Sequence, residues 1–436
     1  MKRILFFLFI TLMAWQLAAQ DTVKTFYSGN RLLSIGVKVN GKEQGEWLFY
    51  HTNGLVWTKG SYLNGEKVGL WKTWNDAGQL VQDYYADNGY FKSWYANGQP
   101  ESIGEMKDRK KTGEWIFYHV NGKLQKKATY LNDEMDGHVI EYYDNGQKKF
   151  EGDYKNGKLN GYAYWWKENG DLDMEGNSVD DLQNGVWKFY HPNNVLGSTG
   201  NFVNGLQDGE WIYYFENSKK WKQGKFVNGK REGEWLAWFE TGELQRKGSF
   251  CADKECGDWI QWYTSGKVMD KGSFKEGLMT GDWTGYYTTG ILKYEIQYKE
   301  GKKNGVHKTY WENGKPKTKG TYKMDVQEGP WIDFAQNGKY LNKGAYLDGK
   351  KEGKWSYYDK RNSLLRTQEY SKDRPEGFFV EYHPNGKKAA EGEFRNNMKT
   401  GVWSRWNEKG KLLSQEQYKN NKVVKVLFKL DPTKSK

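Results

Sequence analysis

Residues 45–71 read GEWLFYHTNGLVWTKGSYLNGEKVGLW, and this stretch decides the fold. It opens on Gly45 and Trp47, and 24 residues on the same pair returns as Gly69 and Trp71. Between them lie Tyr50, the pair Asn53-Gly54, Gly60, Tyr62 and a second pair, Asn64-Gly65. Asn-Gly between aromatic and β-branched runs signals a hairpin, because both residues accept the positive φ of a primed two-residue turn. Two such turns per unit make two strands per unit, each of about five to eight residues. The connections are too short for crossovers, so neighbouring strands are antiparallel. Glycine and turn residues return too often for a helix to build.

Working outward, the opening glycine recurs at the same interval to Gly401, with one step of 20 residues from Gly69 to Gly89. With that glycine as position 0, position +5 is aromatic in all sixteen units and position +2 is Trp in eleven. Phe91, Val139, Ala163, His307 and Phe379 stand at +2 in the other five. Glycine is usual near +15 (Gly60, Gly152, Gly248), and a ring at +17 (Tyr62, Phe226, Phe274). An imperfect unit over 21–44 makes seventeen, and 423–430 breaks the pattern as a closing strand. A period in this range means a repeat array. The expected fold is all-β: an elongated, twisted, single-layer antiparallel sheet of about seventeen 24-residue β-hairpin repeats. The short step predicts a shortened inter-unit turn and a local kink near 84–89. Positions +2 and +5 have opposite parity, so their rings face opposite sides unless a bulge between them brings them together.

Composition agrees with a thin object. Hydrophobic residues are 37% of the chain, and 17% of the chain is aromatic; mean hydropathy is -0.97. Disordered chains lack rings, whereas this one has 22 Trp, 31 Tyr and 20 Phe to pack. The net charge of +12 is spread among interspersed Lys and Glu and forms no basic block. That reads as a solvated surface and argues against nucleic-acid binding. Lys2 and Arg3, the apolar run 4–15 and Ala18-Ala19 read as a secretory signal cleaved after Ala19. The expected division is a signal peptide at 1–19, the array at 20–421, and a capping strand with a basic tail at 422–436. The mature chain carries no transmembrane segment in this reading and is exported: periplasmic, outer-surface or secreted.

An array has no privileged pocket, so the chemistry expected is non-enzymatic, with no catalytic, metal or cofactor residues. His51, His119, His191 and His383 all fall at +6, spread along the array rather than convergent. Asp180-Asp181 and Glu240 with Glu243 read as turn and solvation chemistry. Cys251 and Cys256 flank the turn 252–255, good geometry for a disulfide in an oxidising envelope. Most rings are needed as core. The surplus doublets Trp165-Trp166 and Tyr213-Tyr214 are the candidates for an exposed aromatic binding face.

Units of the form Tyr-x-Asn-Gly-x-x-x-Gly-x-Trp-x-x-Tyr resemble the variant MORN repeats of bacteria, and are similar to those grouped as antitoxin components of toxin–antitoxin systems. The resemblance spans about 21–421. It implies a single-layer sheet of hairpins acting as a scaffold or as a partner- or membrane-binding array. Trp stands here where the better-known pattern has a Gly-x-Gly pair, and an export signal sits badly with a cytoplasmic antitoxin. The function expected is an exported scaffold binding a protein partner in the cell envelope. The alternatives are an array binding envelope glycan or anionic lipid, and an antitoxin-like neutraliser of a partner toxin.

Overall fold

The computed structural model describes residues 20–430; the segments 1–19 and 431–436, on which the expected signal peptide and most of the expected basic tail fall, lie outside the described residues. Thirty-seven strands fill the described chain, interrupted by one short 3-10 turn at Pro192–Asn194. The chain divides after Leu206 into two compact units. Within each, strands pair antiparallel with their neighbours in chain order, forming the all-β hairpin array that the repeat predicts.

One repeat shows why the code works. Strand Lys230–Trp238 pairs with the preceding strand Lys220–Val227 through Gly224 opposite Trp235 and Lys225 opposite Glu232. Gly233 and Glu234 are therefore extra, a two-residue bulge, and Gly233 has φ +68°. That is left-handed territory, which explains a glycine at position 0. The carbonyl of Lys225, beside the bulge, accepts the Trp235 indole N–H at 3.2 Å. Trp71, Trp115, Trp187 and Trp283 make the same bond ten residues back.

The second glycine answers to the indole. A Cβ built on Gly224 would lie 2.1 Å from the Trp235 ring, and one on Gly104 would lie 2.2 Å from Trp115. The ring lies flat on the bare backbone of the strand before it. Where the indole is absent, the glycine usually goes too: Ala128 faces Val139, Ile296 faces His307 and Gln368 faces Phe379. The +17 rings stand edge-on between successive indoles, as in Phe226–Trp235 at 5.1 Å and Phe250–Trp259 at 5.2 Å. This alternating ladder is the core. Trp71, Trp115, Trp211 and Trp355 are among its most deeply buried side chains. T-shaped pairs contribute about 1 kcal/mol each beyond burial.

The parity question is settled by where the bulges fall. One lies at 0 and +1; the other lies at +12, as at Gln125, skipped between Leu124 opposite Tyr118 and Lys126 opposite Phe117. Neither separates +2 from +5. Rings at +2 and +4 therefore share a face, as Trp115 and Phe117 do at 5.9 Å, and +5 rings take the other.

Both ends of the hairpins are stitched from repeat to repeat. At one end, two-residue turns such as Asn228-Gly229 have both φ positive. Where Asp replaces the glycine, its carboxylate accepts a backbone N–H from the preceding turn: Asp133 from Lys111 and Asp325 from Lys303, both at 2.8 Å. At the other end, +6 side chains donate to the next repeat's +5 carbonyl, as Tyr95 does to Tyr118 at 2.7 Å. The Asn121 amide and the Lys123 ammonium reach the next loop at Asp144 and Asn145. The Asn-Gly-Lys run is thus an inter-repeat clamp.

The short step is accommodated differently from a trimmed turn. Strands Leu80–Tyr85 and Asn88–Trp94 are each cut back beside their turn, and their register runs without a shift. The bulge has gone, and Tyr84 takes the glycine's place against Phe91 at 5.7 Å. The last strand, Lys422–Lys429, pairs with Leu412–Lys419 and is exposed along its whole length.

Cys251 and Cys256 are joined as a disulfide, with Cα atoms 5.9 Å apart. The turn between them holds Ala252 and Asp253, both at positive φ. Replacing both cysteines by serine is expected to remove about 2 kcal/mol of local stability, the chain-entropy value for so short a loop. Amide exchange should then quicken in Leu244–Cys251 and Lys254–Trp262 and nowhere else; unchanged exchange there would count against it.

Candidate functional site

The side chains left after these structural duties mark one place on the indole face of the second unit. The repeats at Gly161, Gly185 and Gly209 carry Trp165, Phe189 and Tyr213 at +4; the next carries Ala237. The missing ring leaves a cavity of about 330 Å³, floored by Phe226, Trp235, Phe250 and Trp259. Its walls are Tyr213, Lys222, Arg231 and Arg246.

The cations lie on the rings. The Arg231 guanidinium is 3.9 Å from the Phe250 centroid and that of Arg246 is 4.0 Å from Trp259. Lys222 is 4.2 Å from Tyr213 and 4.4 Å from Trp221. Burial first, and then Arg231 nearby, push the Lys222 ammonium below its ordinary pKa. The disulfide-closed turn positions two of these groups: Asp253 takes Arg231 Nε at 3.0 Å, and Glu255 beside it takes Arg246 at 3.5 Å. Arg246 Nε and Trp259 Nε1 are buried without a hydrogen-bond partner, as is Oδ1 of nearby Asp270, whose carboxyl burial raises. Trp259 thus lacks the indole bond its counterparts make. A ring floor under guanidinium groups is the composition of an interface hot spot.

The surplus doublets do not form one face. Trp165 packs between Phe150 and Trp187, each at 5.3 Å, on the indole side. Trp166, one residue on, takes the other side, near-parallel to Tyr164 at 5.7 Å. Tyr213 lines the cavity and Tyr214 faces away from it; all four are half-buried. Successive residues of a strand point oppositely, so a doublet cannot make a platform. Lys222, Arg231 and Arg246 escape the sequence reading, whose only available sign of them was a small residue at +4.

The histidines at +6 serve the edge clamps. Nε2 of His51, His119 and His383 bonds the carbonyls of Trp74, Tyr142 and Trp406 at 2.9, 3.0 and 2.9 Å. Asp181 accepts the Leu159 N–H at 2.7 Å, and Asp180 the Asn160 amide at 3.1 Å. Glu243 closes a loop with Phe239 at 2.9 Å. Among the described residues no group of three or more His, Cys, Asp or Glu is placed to hold a metal ion, and no helix is long and apolar enough to cross a membrane.

Comparison with known proteins fits this geometry. No curated protein matches the chain. Among the solved structures that align with it are the crystal structures of TcdB2-TccC3-Cdc42 and of TcdB2-TccC3, at 10% and 11% identity. They cover 91% and 92% of this chain, which spans only 28% and 25% of theirs. TM-scores of 0.15 and 0.13 make no case for a shared fold. The model of the MORN repeat variant matches residues 87–108, 111–132, 135–156, 183–204, 207–228, 231–252, 255–276, 279–300, 303–324, 375–396 and 399–420. These segments make up more than half of the sequence and keep the 24-residue phase of the glycines, so the chain belongs to the MORN repeat variant family and is a repeat scaffold.

Proposed function

We propose that this chain is an exported, non-catalytic scaffold that binds a protein partner on its indole face, in the cell envelope. The supporting observation is the cavity over Trp235 and Trp259, with Lys222, Arg231 and Arg246 around it. As along the rest of that face, the glycine–indole apposition at Gly224–Trp235 and Gly248–Trp259 covers one side of each ring. Here the floor rings are buried, but the Tyr213 ring and the Lys222, Arg231 and Arg246 cations above them stay within reach of a partner, and Arg and Tyr are among the residues that dominate interface energetics. Export accords with the amino-terminal signal pattern and with a disulfide-closed turn beneath the site.

The test is crosslinking capture from envelope extract with residues 20–436 as bait, beside a Lys222→Ala/Arg246→Ala variant. A single stoichiometric protein should be captured by the parent chain and at least tenfold less by the variant, whose circular dichroism should be unchanged. Equal capture by both would move the interface elsewhere. Retention on anionic vesicles with no protein captured would replace the partner with lipid.

A further inference from the structure

The opposite face carries a second departure, in the repeat at Gly161. Its residues read Gly161-Tyr-Ala-Tyr-Trp-Trp166. Position +2, normally the indole, is Ala163, fully buried, and its place is filled by Phe150, Leu159 and Trp165. The rings have moved across the sheet. Tyr162, Tyr164 and Trp166, at +1, +3 and +5, form a row along one strand, with centroids 5.2 and 5.7 Å apart. Tyr162 is 42% and Tyr164 36% exposed, so the row is a surface and not a core. Of the sixteen repeats this alone has rings at all three positions, and the family match passes over it while matching the repeats on either side.

Polar clamps flank the row. On one side Glu175, itself buried, accepts the Tyr190 hydroxyl at 2.7 Å and the Lys188 ammonium at 2.9 Å. On the other, Glu151 pairs with Lys148 at 2.6 Å and lies 3.4 Å from His138, which also meets Asp153 at 2.9 Å. Lys148 sits 5.4 Å from the Trp166 ring. Lysines 148 and 188 offset the glutamates they pair with, so the walls combine carboxylate acceptors and ammonium donors without a strong field of either sign.

From this geometry we propose that the platform binds a neutral polysaccharide. Tyr164 and Trp166 lie within 22° of parallel and Tyr162 is turned 59° from Tyr164; exposed ring surface of this kind meets the C–H faces of equatorially substituted sugar rings, and the walls offer acceptors and donors to their hydroxyl groups. Lys148 and Lys188 are already paired with Glu151 and Glu175, so they offer an acidic polymer or an anionic headgroup no net positive field. A row along a strand favours an extended chain over a single sugar.

The experiment is native affinity electrophoresis of residues 20–436 through gels containing hydroxyethyl cellulose, galactomannan or dextran, with chitohexaose titrated separately by tryptophan fluorescence. At least one neutral glycan should bind, and Tyr162→Ala/Tyr164→Ala should weaken that binding at least tenfold with an unchanged thermal midpoint. Both side chains are exposed, so the variant should fold; Trp166→Phe, expected to retain binding in part, is the second check. Binding to none of the four would overturn the proposal. So would equal binding by parent and double variant. Capture of a protein partner through Lys222 and Arg246 is independent of every one of these outcomes.

Discussion

Gly104→Ala is expected to cost about 2–3 kcal/mol while residue 115 is Trp, and nothing once residue 115 is Val. The new methyl would meet the indole at 2.2 Å in a buried ladder, and overpacking of that kind costs about 1–3 kcal/mol or more. Backbone hydrogen bonds hold both strands, so little relief is available. Trp115→Val removes the obstacle at its own cost of about 3–5 kcal/mol for lost burial. In that background the alanine should be neutral or stabilising by up to about 1 kcal/mol, because it restricts the unfolded chain more than glycine does. The protein already contains the product of this experiment, since Ala128 faces a buried Val139. Array unfolding need not be two-state, so the cycle is best read from amide exchange in Pro100–Lys107 and Lys110–Tyr118. Additive costs in the two backgrounds would mean that glycine serves the backbone there and not the ring.

Acid should loosen the repeat around His307 first. This residue stands at an indole position, stacked on Trp331 at 5.9 Å and edge-on to Tyr322 at 5.0 Å. Its Nδ1 is buried without a partner. Burial, with the charge of Lys303 adding to it, lowers its pKa from 6.5 to about 4. The folded state therefore binds its proton more weakly than the unfolded state. Stability is complete above pH 6.5 and falls as pH drops through the window from 6.5 to about 4. Between pH 7 and pH 4.5 the loss is about 2–3 kcal/mol, by linkage from that shift. Exchange in Lys302–Tyr310 and Pro316–Lys323 should quicken over this range, and His307→Phe should abolish the pH dependence. A pH profile identical in the two proteins would assign the loosening to other groups.

Much of the fold is legible in the repeat, and the reasons are local. Asn64-Gly65 announces a primed turn by the φ values it tolerates, and the strand between two such turns has one length. The doublets show where this reading stops. Trp165 and Trp166 are adjacent in sequence and equivalent in composition, yet one joins the indole ladder and the other lies beside Tyr164 on the reverse face. The cavity beside Ala237 was equally hidden, because an absent ring is conspicuous only when its neighbours across strands are known.

By itself, then, the sequence determined the period, two antiparallel strands per repeat, the turn type and the cysteine pair facing across one turn. Those properties depend on residues close in the chain. Only the tertiary structure decided which rings share a face, why Gly224 must be bare beneath Trp235, and where cations gather over buried indoles. The physical reason is register. A two-residue bulge at position 0, absent where Gly89 stands, resets the pairing between hairpins, and no count of residues along one strand reveals which backbone a side chain will meet on the next.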